Sequence, residues 1–138
     1  MTAKEKKDYL SQLKKIDRRI EIDLRKAEKL RAVLDYSPAS GGTGGSGCSA
    51  NKIPDTLAKV MEFEHKAHEL KDRYIELYIE IEKAIAAVAD PVQREVLERR
   101  YMLYQKWEDI AEQMHFTERR IYQIHGRALQ KISLNFSI

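Results

Sequence analysis

The feature that most constrains the fold is a set of apolar residues in the middle of the chain that recur at alternating spacings of three and four. The stretch 54–89 opens with Pro54 and contains no glycine. Nine positions share this spacing: Val60, Phe63, Ala67, Leu70, Tyr74, Leu77, Ile81, Ala84 and Val88. Such spacing puts all nine on one face of a long helix with a coiled-coil-like seam. A second apolar strip should broaden the buried face: Ile75, Tyr78, Ile79 and Ile85.

The N-terminal stretch 3–35 carries a second seam of the same kind. Its members are Tyr9, Leu13, Ile16, Ile20, Asp23, Ala27, Leu30 and Leu34, with Leu10 and Leu24 beside them. Basic residues outnumber acidic ones by eleven to seven here, whereas acidic residues lead by eight to five in 54–89. Two seams of similar length and opposite charge predict an antiparallel helical hairpin.

The segment between the two seams cannot hold a helix. Residues 37–52 read SPASGGTGGSGCSANK and contain five of the six glycines, so they predict a flexible loop. Cys48 lies within this loop and is the only cysteine of the chain. The sequence therefore offers no cysteine pair for an intrachain disulfide and no cysteine-based metal cluster, and we assign Cys48 no role.

Asp90 and Pro91 end the long helix and begin the next one. An aspartate can cap a helix, and a proline suits the first helical position because its missing N–H would have no partner there. The following residues include several apolar side chains that we expect to be buried: Val92, Val96, Leu97, Tyr101, Met102, Leu103 and Tyr104.

Two short amphipathic patterns follow, separated by a three-residue break at residues 115–117. Their apolar residues fall on one face of each predicted helix: Ile110, Ala111 and Met114 in the first, and Ile121, Ile124 and Ala128 in the second. Thr117 stands where an N-cap belongs, and Trp107 is expected to anchor the core. The pattern predicts a helix-turn-helix, in which Ala111 permits close approach of the two helices.

The outward face of the second helix is basic and polar. Between residues 117 and 132, four cations stand against the single anion Glu118, whereas the preceding helix is acidic. The outward residues are Arg119, Arg120, Tyr122, Gln123, Arg127 and Lys131. Arginine can bond guanine with two hydrogen bonds and glutamine can bond adenine, so this face suits a DNA major groove.

Residues 86–134 resemble region four of bacterial sigma-70-family factors. The resemblance is carried by FTERRIYQI from Phe116 to Ile124, by Ala128, Leu129 and Lys131, and by the upstream motifs Asp90-Pro91, REVL at 94–97 and EDIA at 108–111. It implies that Glu118, Arg119, Arg120, Gln123 and Arg127 read DNA, and that bacterial RNA polymerase is a second partner. The predicted DNA-binding residues are these five together with Thr117, Tyr122, His125 and Lys131.

The chain departs from the family pattern at two histidines. His115 stands where the turn commonly has glycine, and His125 replaces a residue that is commonly acidic. We expect His115 to take a left-handed conformation and His125 to face phosphates. No segment resembles the promoter-melting regions of a complete sigma factor. The layout resembles small transcription regulators of phages and prophages of Gram-positive bacteria.

These observations predict an all-α protein with four parts: a long helix at 1–36, the loop at 37–52, a second long helix at 53–89 used for oligomerisation, and a DNA-binding domain at 90–138. Apolar surface left on the hairpin predicts a homodimer. In the alternative arrangement, the hairpin folds back on its own DNA-binding domain. The cations of the first helix are interpreted as a solvated face, with auxiliary contact to DNA phosphates as the alternative.

The predicted function is that of a sequence-specific DNA-binding transcription regulator with helix 118–132 in the major groove. The alternatives are a DNA-packaging component similar to a small terminase subunit and an adaptor that binds RNA polymerase or its sigma factor. His65 and His68 lack a third metal ligand, and no nucleophile–base pair or phosphate-binding loop is evident. We expect no catalytic residues, no cofactor, no metal and no membrane segment, and a location in the bacterial cytoplasm with the nucleoid.

Overall fold

The computed structural model describes residues 1–36 and 52–134, and every regular element in these ranges is helical. The long helices are α1 at Ala3–Tyr36 and α2 at Lys52–Ala86. The shorter ones are α3 at Pro91–Leu97, a π-helical segment at Glu98–Met102, α4 at Trp107–Met114 and α5 at Glu118–Lys131. The predicted all-α class is confirmed. Apart from Lys52, which begins α2, the predicted loop and Cys48 lie outside the described residues.

The described residues form two compact units, residues 17–36 with 52–73 and residues 1–16 with 74–134. The first of these, the hairpin unit, contains the later part of α1 and the earlier part of α2 as two antiparallel helices. Arg31 and Glu64 form an ion pair between them at 2.6 Å. Asp23, the one charged member of the α1 seam, is buried and bonds Arg19 at 3.1 Å. Leu24 was expected to widen the buried side of this seam, and that expectation is wrong because Leu24 is 37% exposed.

The second unit, which we call the terminal unit because it contains both ends of the described chain, joins the first turns of α1 to the end of α2 and to α3–α5. Thr2 and Glu5 start α1 with reciprocal bonds between side chain and backbone, at 2.9 and 3.2 Å, which satisfy two free N–H groups of the first turn. One apolar cluster of this unit draws on residues from both ends of the chain: Tyr9, Leu10, Leu13, Leu77, Ile81, Ile85, Val88, Leu97, Tyr101, Ala128, Leu129 and Ile132.

The strip beside the α2 seam is mostly solvent-exposed, contrary to expectation. Ile85 is buried in the cluster, but Ile75, Tyr78 and Ile79 are 56%, 39% and 46% exposed, because the cluster contacts this strip only at Ile85. The nine seam residues themselves are all buried or half-buried, as predicted.

The junction between α2 and α3 follows the sequence closely. Asp90 Oδ1 accepts a hydrogen bond from the backbone N–H of Val92 at 2.8 Å, and Pro91 is the first residue of α3. Val96, Leu97 and Tyr101 are buried as expected.

Two other expectations for this stretch are wrong, because Val92 is 38% and Leu103 62% exposed. Val92 lies in the open first turn of α3. At Leu103 the cause is the π-helical segment, where the N–H of Leu103 reaches the carbonyl of Glu98, five residues back, at 3.0 Å. The extra residue in this turn rotates the following side chains around the helix, and Leu103 faces solvent.

Candidate nucleic-acid interface

Helices α4 and α5 form a helix-turn-helix with a separate core. Val96, Ile110, Ala111, Ile121 and Ile124 make up this core, with Trp107 and Met114 packed against it. Ile110 and Ile121 are fully buried, and Ala111 is 5% exposed at the crossing of the two helices. The predicted inner face of each helix is therefore confirmed, and the opposite face of α5 is left to solvent.

The turn between the helices is held by backbone bonds and by one left-handed residue. His115 has φ 59° and ψ 39°, the conformation expected from its position. The N–H of Phe116 bonds the carbonyl of Ala111 at 3.0 Å and the N–H of His115 bonds that of Glu112 at 3.3 Å. These two bonds form a Schellman motif, which satisfies carbonyls at the end of α4 and sets the direction of the chain into α5.

Thr117 fixes the start of α5. Its hydroxyl accepts a hydrogen bond from the backbone N–H of Arg120 at 3.1 Å, as an N-cap should. Glu118 lies in the first turn, where its negative charge favours the positive end of the helix dipole. The hydroxyl of Thr117 is thus engaged in the helix, and its predicted contact with DNA remains untested.

Eight of the nine predicted DNA-binding residues are exposed on or beside α5. The basic and amide side chains among them are Arg119, Arg120, Gln123, Arg127 and Lys131. Arg120 lies 3.4 Å from the amide oxygen of Gln123, which holds the two groups side by side. None of the four cations forms an ion pair with an acidic residue of the described ranges, so their charge is available to a ligand.

Tyr122 is 49% exposed, and its ring lies 5.2 Å from that of Trp107. Trp107 is half-buried and packs against the helix-turn-helix core, as expected of an anchor. The Tyr122 ring is therefore supported on one side by protein and open to solvent on the other.

The expected placement of His125 is wrong. Its side chain is 5% exposed, its Nε2 lies 2.7 Å from the hydroxyl oxygen of Tyr101, and its ring meets the Trp107 ring at 4.6 Å. Burial, together with the nearby charges of Lys7 and Arg100, lowers the pKa of His125 to about 4. His125 is neutral near pH 7 and links α5 to the π-helical segment instead of facing phosphates.

Tyr101 is the buried partner of His125. Burial raises the pKa of the Tyr101 hydroxyl to about 12, against the opposing effect of the Arg100 charge. Both members of the pair are therefore neutral at ordinary pH, and one hydrogen bond links the Tyr101 hydroxyl to Nε2 of His125 within the core. The spacing of His125 from Ile121 and Ala128, four and three residues, was the sequence signal for this burial.

Arg100 belongs to the same surface and was not among the predicted site residues. Its guanidinium carbon lies 4.4 Å from the centre of the Trp107 ring, and its Nη1 donates to the carbonyl of Gln105 at 2.9 Å. It forms no ion pair within the described part of the chain. Arg100, Trp107 and Tyr122 thus form a continuous row that extends the basic face of α5 toward the start of α4.

Comparison with known proteins agrees with this geometry. Residues 90–133 match the family model described as sigma-70, region 4, a DNA-binding family, and the match spans α3, the π-helical segment, α4 and α5. Searches of curated proteins and of solved structures found no match. None of the described helices is both long and apolar enough to cross a membrane. Residues 90–133 therefore form a helix-turn-helix that is similar to sigma-70 region 4.

Proposed function

We propose that this protein is a sequence-specific DNA-binding transcription regulator that inserts α5 and its C-cap, residues 118–132, into the major groove. The observation that carries the proposal is the division of α5 into two faces. Ile121, Ile124, His125 and Ala128 are buried, while Gln123 and the four cations of α5 are exposed, and these cations form no ion pair with an acidic residue of the described ranges. A major groove accepts one α-helix, and base edges are read by side chains of this kind.

The exposed residues divide by chemistry into base-reading and backbone-binding groups. Arg120 and Gln123 can bond guanine and adenine, and Glu118 can accept a hydrogen bond from cytosine. The other cations contact phosphates: Arg100, Arg119, Arg127 and Lys131. Thr117 positions the start of α5, and Tyr122 adds a hydroxyl at the edge of the groove. His125 has no direct contact with DNA in this proposal, since it is buried.

The experiment selects bound fragments from random DNA at fixed salt and then measures affinity for the selected site. Arg120→Ala and Gln123→Ala should each cost about 1–3 kcal/mol and relax the preference at one base position. Arg127→Ala should weaken binding equally on selected and unselected sequences. Arg25→Ala is the matched control, because this exposed arginine of α1 pairs with Glu21 outside the terminal unit. Binding without any salt dependence would contradict the proposal.

The proposal extends to a homodimer that forms through the apolar residues left exposed on α2. Ile75 and Ile79 are exposed one turn apart on the same face, with Tyr78 beside them. Two copies would read half-sites about 34 Å apart, or a multiple of that distance. Ile79→Glu should shift the mass in solution from dimer to monomer, whereas a large ring would favour a DNA-packaging component.

The more specific role that we propose rests on the resemblance of residues 86–134 to sigma region four. A regulator of the phage or prophage type, acting on the nucleoid and in contact with bacterial RNA polymerase, agrees with a region-four-like segment joined to long helices. An adaptor that contacts only polymerase would retain polymerase binding in Arg120→Ala and would show no DNA binding. These two results separate the regulator from the adaptor.

A further inference from the structure

The first turns of α1 are fixed against the far end of α5. Lys6 Nζ donates hydrogen bonds to the carbonyl oxygens of Leu129 and Ile132, at 2.6 and 2.9 Å. These carbonyls are the ones that a helix leaves without partners at its C-terminal end, where a positive charge is favoured. Leu10 and Leu13 are fully buried in the adjoining cluster. The start of α1 is therefore part of the terminal unit and is held against α5.

This attachment gives one face of α1 a defined position. Lys7, Ser11 and Lys14 are spaced by four and three residues and share that face. Ser11 and Lys14 line a small surface pocket of about 50 Å³ together with Arg100, Tyr101 and Tyr104. Lys7 lies close enough to His125 for its charge to act on the imidazole, as the charge of Arg100 does. Cations of α1 and of the π-helical segment thus lie close together beside the helix-turn-helix.

The surface formed by these cations is continuous with the exposed face of α5. The Arg100 guanidinium lies 4.4 Å from the Trp107 ring, which lies 5.2 Å from the Tyr122 ring. Arg100 is therefore at most about 10 Å from Tyr122, an axial distance of roughly three phosphates along one DNA strand. A duplex held by α5 would bring its backbone to this row.

Two acidic residues near Lys7 have hydrogen-bond partners of their own. Glu5 accepts the N–H of Thr2, and Glu80 accepts the hydroxyl of Tyr9 at 2.7 Å. Asp8 follows Lys7 in sequence and is turned about 100° around the helix. Lys14 already has an interaction within the folded chain, so Lys7 is the better residue to test.

We propose that Lys7 and Lys14 of α1 bind backbone phosphates of the same duplex that α5 reads, which makes α1 a second DNA-contacting element. The inference rests on the proposed function and adds to it an element outside the matched residues 90–133. A phosphate clamp from α1 would lengthen the footprint on one side of the site without changing the base preference, because phosphates carry no base identity.

The experiment compares Lys7→Gln with the wild type on two duplexes, one trimmed to the selected site and one extended by about one helical turn on each side. On the extended duplex, Lys7→Gln should lower the slope of log affinity against log salt by about 0.9 and weaken binding roughly three- to tenfold. On the trimmed duplex the two proteins should bind alike. Lys7→Arg should restore the slope, and Lys83→Gln, at an exposed lysine of α2 in the same unit, should leave it unchanged.

The possible results separate this inference from the proposed function. If the wild type binds its site and Arg120→Ala relaxes the preference, but Lys7→Gln matches the wild type on both duplexes, the α1 contact is wrong and the function stands. A change of base preference in Lys7→Gln would also overturn a phosphate contact. If the wild type shows no salt-dependent DNA binding, the proposed function itself fails. Unchanged Trp107 fluorescence confirms that each variant is folded.

Discussion

Truncation of Leu10 in α1 should destabilise the helix-turn-helix, although Leu10 lies about a hundred residues away in sequence. Leu10 is fully buried and belongs to the same cluster as Ala128 and Leu129 of α5. Leu10→Ala removes buried methyl groups and leaves a cavity, which costs about 2–5 kcal/mol in comparable cores. The expected loss is therefore a large fraction of the ~5–15 kcal/mol that stabilises a typical domain.

Leu24 provides a matched control in the same helix. It is also a leucine of α1, but its side chain is 37% exposed and it lies in the hairpin unit. Leu24→Ala removes the same atoms from a partly hydrated site and should cost less than about 1.5 kcal/mol, since less apolar area returns to water. Residue type and helix propensity change equally in the two variants. The difference between their losses of stability therefore reports the effect of burial.

Urea unfolding followed by Trp107 fluorescence measures this difference in stability at the helix-turn-helix. Trp107 is the only tryptophan and begins α4, so its signal reports the helix-turn-helix. Leu10→Ala should lower the midpoint of the Trp107 transition strongly and Leu24→Ala only slightly, with unchanged slopes. Equal midpoints for the two variants would refute the claim that the start of α1 is part of the terminal unit.

Two further predictions concern the helix-turn-helix itself. Thr117→Ala should lower the free energy of unfolding by about 0.5–2 kcal/mol because it removes the cap of α5, while Thr117→Ser should retain most of it, as thermal unfolding would show. The folded pKa of His125 is depressed to about 4 from 6.5, so the unfolded chain binds more protons. The stability contributed by neutral His125 should be complete above about pH 6.5 and decline by up to ~1.4 kcal/mol per pH unit toward pH 4, and His125→Gln should flatten this decline. A pH profile identical to that of His125→Gln would contradict the burial of the imidazole.

The elements with strong local signals were predictable from the sequence. The helix-turn-helix, its break at residues 115–117, the Thr117 cap and the Asp90-Pro91 junction depend on contacts within a few residues, and the structure places each where expected. The left-handed His115 was predictable as well, since turn geometry restricts a residue at that position whatever its side chain.

The departures arise from effects that periodicity alone does not reveal. His125 is expected on the outward face because it replaces a residue that is commonly acidic, yet Tyr101 supplies a hydrogen bond that permits its burial. Leu103 was placed inward because the π-helical turn has no clear signature in sequence. The bonds from Lys6 to the end of α5 join residues more than a hundred positions apart, which no local pattern can indicate.

Arg100 and Lys7 extend the site and were not predicted, because their positions depend on packing that periodicity does not reveal. Arg100 precedes Trp107 by seven residues, and its stacking depends on the turn between the π-helical segment and α4, where Tyr104 has a positive φ of 58°. Lys7 is one of eleven cations on the first helix, and composition does not distinguish it from the others. Only the packing of α1 on α5 singles it out.

The central claim is that the exposed face of α5 enters the major groove, and chemical protection of guanine N7 tests it most directly. N7 lies in the major groove, where Arg120 would bond it. On a selected DNA site, bound wild-type protein should protect one or more guanines from methylation at N7, and Arg120→Ala should lose that protection at one position while remaining folded. Full methylation of every guanine in a saturated complex would contradict the claim.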